Sequence, residues 1–258
     1  MNVPYSPDKL DALYRALSPG RVAPYLAASG GDLGEAIRLY ELNARFSAHL
    51  YGPLQALEVT VRNAIDMQFC HTFGADWAAL GSINLQPRQQ DDLRKALQEV
   101  AVDEEGNPRD FTHDAVVAKL NFGFWVGVLG PKNEVEIWRK SLWRAFPNRP
   151  KGTERKAVQG ALNSVRRLRN RVAHHCRIIH RDLEQDHNTI LEIVGWICPD
   201  TMAWTASLSD FDTAHLPVSD ESLPFSESAA KDDGLAAIAA PEKTQPTRGG
   251  RARLGIKP

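Results

Sequence analysis

Thr153–Ile179 reads TERKAVQGALNSVRRLRNRVAHHCRII. Val158, Leu162, Val165, Leu168, Val172, Cys176 and Ile179 recur every three or four positions, the rhythm of a helix face turned to a core. The spacing predicts one long helix over Thr153–Ile179. Its last part, Arg167 to Arg177, packs four arginines, an amide and two imidazoles into about three helical turns. Arginine offers a planar fork that matches phosphate oxygens. Histidine moves protons near neutral pH. Cleavage of RNA without a metal needs both abilities.

The charge around this stretch is one-sided. From Ile137 to Arg181 there are thirteen Lys and Arg residues and a single acid, Glu154, whereas the whole chain has 31 basic and 32 acidic residues. Basic charge gathered in one segment of a near-neutral chain is the footprint of a polyanion partner. The competing reading is a solvated basic face.

Outward from this helix the remaining pattern is also helical. Ser6 and Pro7 open a helix to Leu17, and Ser18-Pro19-Gly20 ends it. Leu33, Ile37, Tyr40, Ala44 and Ala48 mark a helix over Leu33 to Leu50. Gly52-Pro53 is read as a break, after which Leu54, Leu57, Val61, Ile65 and Phe69 form a second stripe. Gln86-Pro87 opens a helix with Leu93, Leu97 and Val100 inward. Pro131 starts one through Ala145, and Leu183 to Ile197 forms the last. Phe122-Gly123-Phe124-Trp125-Val126 is read as a core or dimer-interface segment. No alternating strand pattern exceeds a few residues, so the fold class is all-α.

The expected domain is residues 1–206. Residues 207–258 are rich in Ser, Asp, Glu, Pro, Gly and Ala and are expected to form a low-complexity, disordered tail. Cys70, Cys176 and Cys198 are widely spaced and read as free thiols of a reducing compartment. No secretory signal and no apolar stretch long enough for a bilayer are seen, so a cytoplasmic protein without a membrane partner is expected.

On a straight helix Arg169 and His174 point about 140° apart. They meet at one phosphate only if the helix is distorted, if the arginine reaches round, or if a second copy completes the site. A metal set of His174, His175, Cys176 and His180 is disfavoured, because adjacent helical residues diverge by about 100° and the arginines repel a cation. No metal and no cofactor are called for.

Arg169-Asn170-Arg171-Val172-Ala173-His174 fits the signature of the HEPN superfamily: an Arg, usually a polar residue after it, then a His four to six positions on. The Asn and the Ala-His-His run resemble the Abi-like branch, found in bacterial abortive-infection and toxin–antitoxin systems. Arg38-Leu39-Tyr40 with Asn43, Gly52 through Ile65, and Asn121 through Trp125 also resemble that branch, in the same order, and the likeness runs from Arg21 to Ile197. It implies a HEPN-like helical bundle that dimerises through the motif helices. It also implies a metal-independent endoribonuclease acting through attack by the ribose 2′-OH. Carried over by position, Arg169 stabilises the phosphorane, His174 is general acid or base, and Asn170 orients the His or touches RNA. Arg166, Arg167, Arg171, His175 and Arg177 are assigned to RNA binding from their place on the helix. A cognate antitoxin or a phage-derived trigger is a further implied partner. The alternative is a noncatalytic RNA-binding or protein-interaction module in phage defence.

Overall fold

A computed structural model describes residues 5–208, apart from Leu80 and Ser82. Of the expected tail over 207–258, Ser207 closes the last helix and residues from 209 onward lie outside the described residues. The described chain is all-α. Helix α1 spans Pro7–Leu17, α2 Pro19–Ala28, α3 Leu33–Phe73, α4 Pro87–Val100, α5 His113–Lys119, α6 Phe122–Gly127, α7 Arg155–Ala173, α8 Leu183–Ile197 and α9 Pro199–Ser207. Among the described residues the only β pairing is an isolated bridge between Val102 and Pro108. No helix there is long and apolar enough to cross a membrane.

Caps set most of these boundaries. The Asp32 carboxylate accepts from the Glu35 N–H at 2.9 Å to open α3, and Asp182 does the same for Gln185 at 2.8 Å to open α8. Thr112 and Asn121 cap α5 and α6. Pro7, Pro19, Pro87 and Pro199 each sit at a helix start, where their missing N–H costs nothing.

Helix α3 corrects the expected break at Gly52-Pro53. It runs unbroken for 41 residues, about 60 Å at 1.5 Å per residue. Proline inside a helix removes one hydrogen bond and crowds the carbonyl four residues back. Packing overrides that cost here, because Leu50, Pro53, Leu54 and Leu57 are all buried on one side. The buried stripe also differs in its first half. Ala36, Ile37, Asn43, Phe46 and Leu50 face the core, whereas Ala44 and Ala48 face outward. Alanine suits either face, so its spacing pointed to the wrong stripe.

Helix α3 packs against α2, α7 and α8, and α8 packs against α9. Behind it lies an aromatic cluster of Phe69, Trp77, Phe124 and Trp125, all fully buried, with ring centroids 4.9–6.4 Å apart. The 122–126 segment is therefore core. The helix expected over Pro131–Ala145 is instead two short 3₁₀ turns around a π turn at Glu134–Arg139. The widened turn lets Ile137, Trp138, Leu142 and Ala145 all point inward. The buried Ser141 hydroxyl accepts from Thr72 Oγ1 and donates to the Gln68 carbonyl, which fixes the turn on α3.

Candidate functional site

Helix α7 ends earlier than its apolar rhythm suggests. Its last residue is Ala173, not Ile179, and His174 is the C-terminal cap at φ −95°, ψ 11°. His175 then turns into the left-handed region at φ 55°. The His175 N–H reaches the Val172 carbonyl at 3.1 Å, and the Cys176 N–H reaches the Arg171 carbonyl at 2.8 Å. This is a Schellman closure, with histidine where glycine is usual. Glycine is absent from this stretch, and the apolar spacing continues through Cys176 and Ile179, which hid the end from sequence reasoning.

Three side chains strap the turn that follows. Arg171 donates through Nε (2.9 Å) and Nη2 (2.6 Å) to the Arg177 carbonyl. The Asn43 Oδ1 of α3 accepts from the N–H groups of Ile178 (2.6 Å) and Ile179 (3.3 Å), and its Nδ2 donates to the Cys176 carbonyl at 3.4 Å. Arg21 of α2 donates to the His175 carbonyl at 2.7 Å. The two histidines thus stand exposed on a turn whose backbone is tied to α2, α3 and α7.

Arg171 and Arg177 are both buried, so the expectation that they bind phosphate is corrected. The Arg171 guanidinium serves the turn, because it holds the Arg177 carbonyl four residues beyond the helix end. The wider basic segment is also partly used up inside the fold. Arg149 donates to the carbonyls of Trp143, Phe146 and Thr153. Arg155 donates to Glu134, to the Leu129 carbonyl and to Gln159. Arg181 forms a two-pronged pair with Asp186 at 2.6 and 2.7 Å. Arg167, Lys151 and Lys156 are exposed, and Arg166 is half-buried with its Nε 3.3 Å from Asn163 Oδ1.

Arg169 leans over α3, where its Nε lies 3.0 Å from Glu58 Oε2. It forms the wall of a cavity of about 880 Å³ between α3 and the end of α7. His175 and Arg62 line the same cavity, with Tyr40, Tyr51 and Val59 supplying apolar surface. Tyr51 is 66% exposed there. His174 does not line this cavity, and Asn170 is half-buried on α7. One chain therefore brings Arg169 and His175 to a common space but not Arg169 and His174. Sequence reasoning gave no role to Glu58 or Asn43. The signal that singles them out is long-range pairing, which spacing does not contain.

Comparison with protein-family models, with curated proteins and with solved structures finds no match to this chain.

Proposed function

We propose that this chain is a metal-independent endoribonuclease of HEPN-like fold acting in bacterial phage defence or a toxin–antitoxin pair, with its site completed by a second copy. The observation that carries the reading is the strapped, exposed His174–His175 turn, whose His175 lines a cavity walled by Arg169. In the proposed reaction one His174 takes the proton of a ribose 2′-OH. The freed oxygen attacks the adjacent phosphorus, and Arg169 stabilises the added charge on the phosphorane oxygens. The 5′-oxygen leaves with a proton from solvent water, giving a 2′,3′-cyclic phosphate and a 5′-hydroxyl. Asn170 orients the imidazole, while Arg166, Arg167 and His175 contact phosphate. Two copies are invoked because Arg169 and His174 of one chain do not face one space. The apolar wall of Tyr40, Tyr51 and Val59 is the kind of surface a second copy covers. A cognate antitoxin or phage-derived trigger would act on the same face.

The test is labelled RNA in EDTA. His174→Ala should lose about 10²–10⁴-fold in rate while keeping most RNA affinity, and His175→Ala should lose less. Mixing inactive Arg169→Ala and His174→Ala chains should restore part of the cleavage. Equal loss at both histidines, or a monomer that cuts RNA, would sink the composite site. One observation favours the noncatalytic alternative: Glu58 already pairs with Arg169, which weakens its pull on phosphate. An interaction module would bind through the cavity and leave RNA uncut.

A further inference from the structure

The second half of α3 carries a group of side chains unrelated to the histidine turn. Asp66 and Cys70 are four residues apart, so they share one helix face. His113, the first residue of α5, reaches the same point from another element. Its Nε2 lies 2.8 Å from Asp66 Oδ1 and 3.7 Å from Cys70 Sγ, and the Sγ lies 3.8 Å from the same Oδ1. A carboxylate oxygen, an imidazole nitrogen and a sulfur thus converge within 4.8 Å of one another. We propose that Asp66, Cys70 and His113 form a zinc site that pins α5 to α3.

The chemistry of the donors selects the ion. Thiolate, imidazole and carboxylate together suit Zn²⁺ better than the hard cations, which take oxygen. Tetrahedral zinc with bonds of about 2.3 Å to sulfur and 2.0–2.2 Å to nitrogen and oxygen sets ligand separations of about 3.6 Å for S–N and S–O, and about 3.4 Å for N–O. Two of the three observed spacings fall within a few tenths of an ångström of these. Only Asp66 and His113 need to part, by about 0.6 Å from their 2.8 Å contact. The orienting groups are present as well. Trp77 Nε1 donates to Asp66 Oδ1 at 2.8 Å, and the His113 ring packs edge-on to Trp77 at 5.6 Å. Asp66 also borders a cavity of about 440 Å³ with Asp114, Asn63 and Arg62. Two acids outweigh the single arginine at that mouth.

A nucleophilic Cys–His–Asp relay would use the same residue types but a different wiring. In a relay the acid and the nucleophile hold opposite ring nitrogens. Here both approach Nε2. The three groups thus share a ligand-set geometry rather than a relay geometry.

The test uses the full chain, freed of metal by dialysis against a chelator and titrated with Co²⁺. The expected result is one equivalent bound, with thiolate-to-cobalt charge-transfer absorption that Zn²⁺ removes. The band should vanish in Cys70→Ala and persist in Cys176→Ser and Cys198→Ser. His113→Phe keeps the ring on Trp77 and removes the ligand. It should weaken Co²⁺ binding by more than the roughly 10–100-fold seen when a residue that only orients a ligand is lost. His113→Phe also serves if Cys70→Ala fails to fold by circular dichroism. No charge-transfer band in the native chain would overturn the site, as would a band that survives Cys70→Ala or an unchanged affinity in His113→Phe. RNA cleavage is not the readout, and Asp66 lies about 12 Å along α3 from Glu58, so this proposal and the ribonuclease reading fail separately.

Discussion

Asn43→Leu should release the turn that carries the two histidines. Asn43 is 5% exposed, and Ile178 and Ile179 are buried, so water does not readily replace the lost acceptor. A buried donor left without a partner costs about 1–3 kcal/mol, and the longer bond from Ile179 adds about 1 kcal/mol more. The sum is about 2–4 kcal/mol. At about 2–4 °C per kcal/mol for a domain of this size, the melting temperature should fall by about 4–16 °C. Asn43→Ala should cost less, because the smaller side chain lets water reach the stranded N–H groups. Thermal melts give the order, and amide exchange should show the Ile178 and Ile179 protons losing protection ahead of the rest of the domain. If Asn43 acted only by filling space, the leucine variant would be the more stable of the two. That order, or unchanged protection at Ile178, would refute the reasoning.

Glu58→Gln should free Arg169 for phosphate: stability changes by less than about 1 kcal/mol, since the pair is partly exposed, while RNA affinity rises in a filter-binding titration; unchanged affinity would argue against Arg169 as a phosphate contact. His175→Gly should melt about 2–4 °C higher, because glycine takes φ 55° without the roughly 1 kcal/mol borne by an L-residue there, and a lower melting point would show that the imidazole holds the turn. Burial pushes His187 down from the ordinary histidine range. The unfolded chain then takes up the proton first, so stability drops as pH falls below about 6.5, and the drop should shrink in His187→Gln when melts at pH 7.5 and about 5.5 are compared.

The helical class was legible because stripes such as Leu54, Leu57, Val61, Ile65 and Phe69 have no strand reading, and all five are buried. Boundaries were harder wherever tertiary packing overrode a local signal. Pro53 is a strong breaker on paper, yet buried neighbours on either side carry the helix through it. The end of α7 failed in the opposite sense. Ile179 keeps the apolar rhythm and is buried, but it reaches the core from a turn rather than from the helix. Of the candidate site, Arg169 and the two histidines stood out in the sequence by residue type and spacing. The burial of Arg171 and Arg177 was not, because a run of arginines looks alike whether the guanidinium meets phosphate or a backbone carbonyl. Helix α9 went unread because Pro199–Ser207 has little amphipathic contrast, with only Thr205 buried.

The continuity of α3 has a mechanical side. Its backbone ladder lacks one rung, since Pro53 has no N–H to give the His49 carbonyl. The seam sits beside Gly52, where the space a Cβ would fill lies 3.6 Å from the Leu208 carbonyl at the end of α9. On one side are Asn43 and the histidine turn, on the other the Asp66–Cys70–His113 group. A helix with a missing rung bends there at less cost than elsewhere. The rod therefore acts as two stiff levers sharing a soft joint, and strain introduced at one end should be absorbed near His49–Pro53 before it reaches the other.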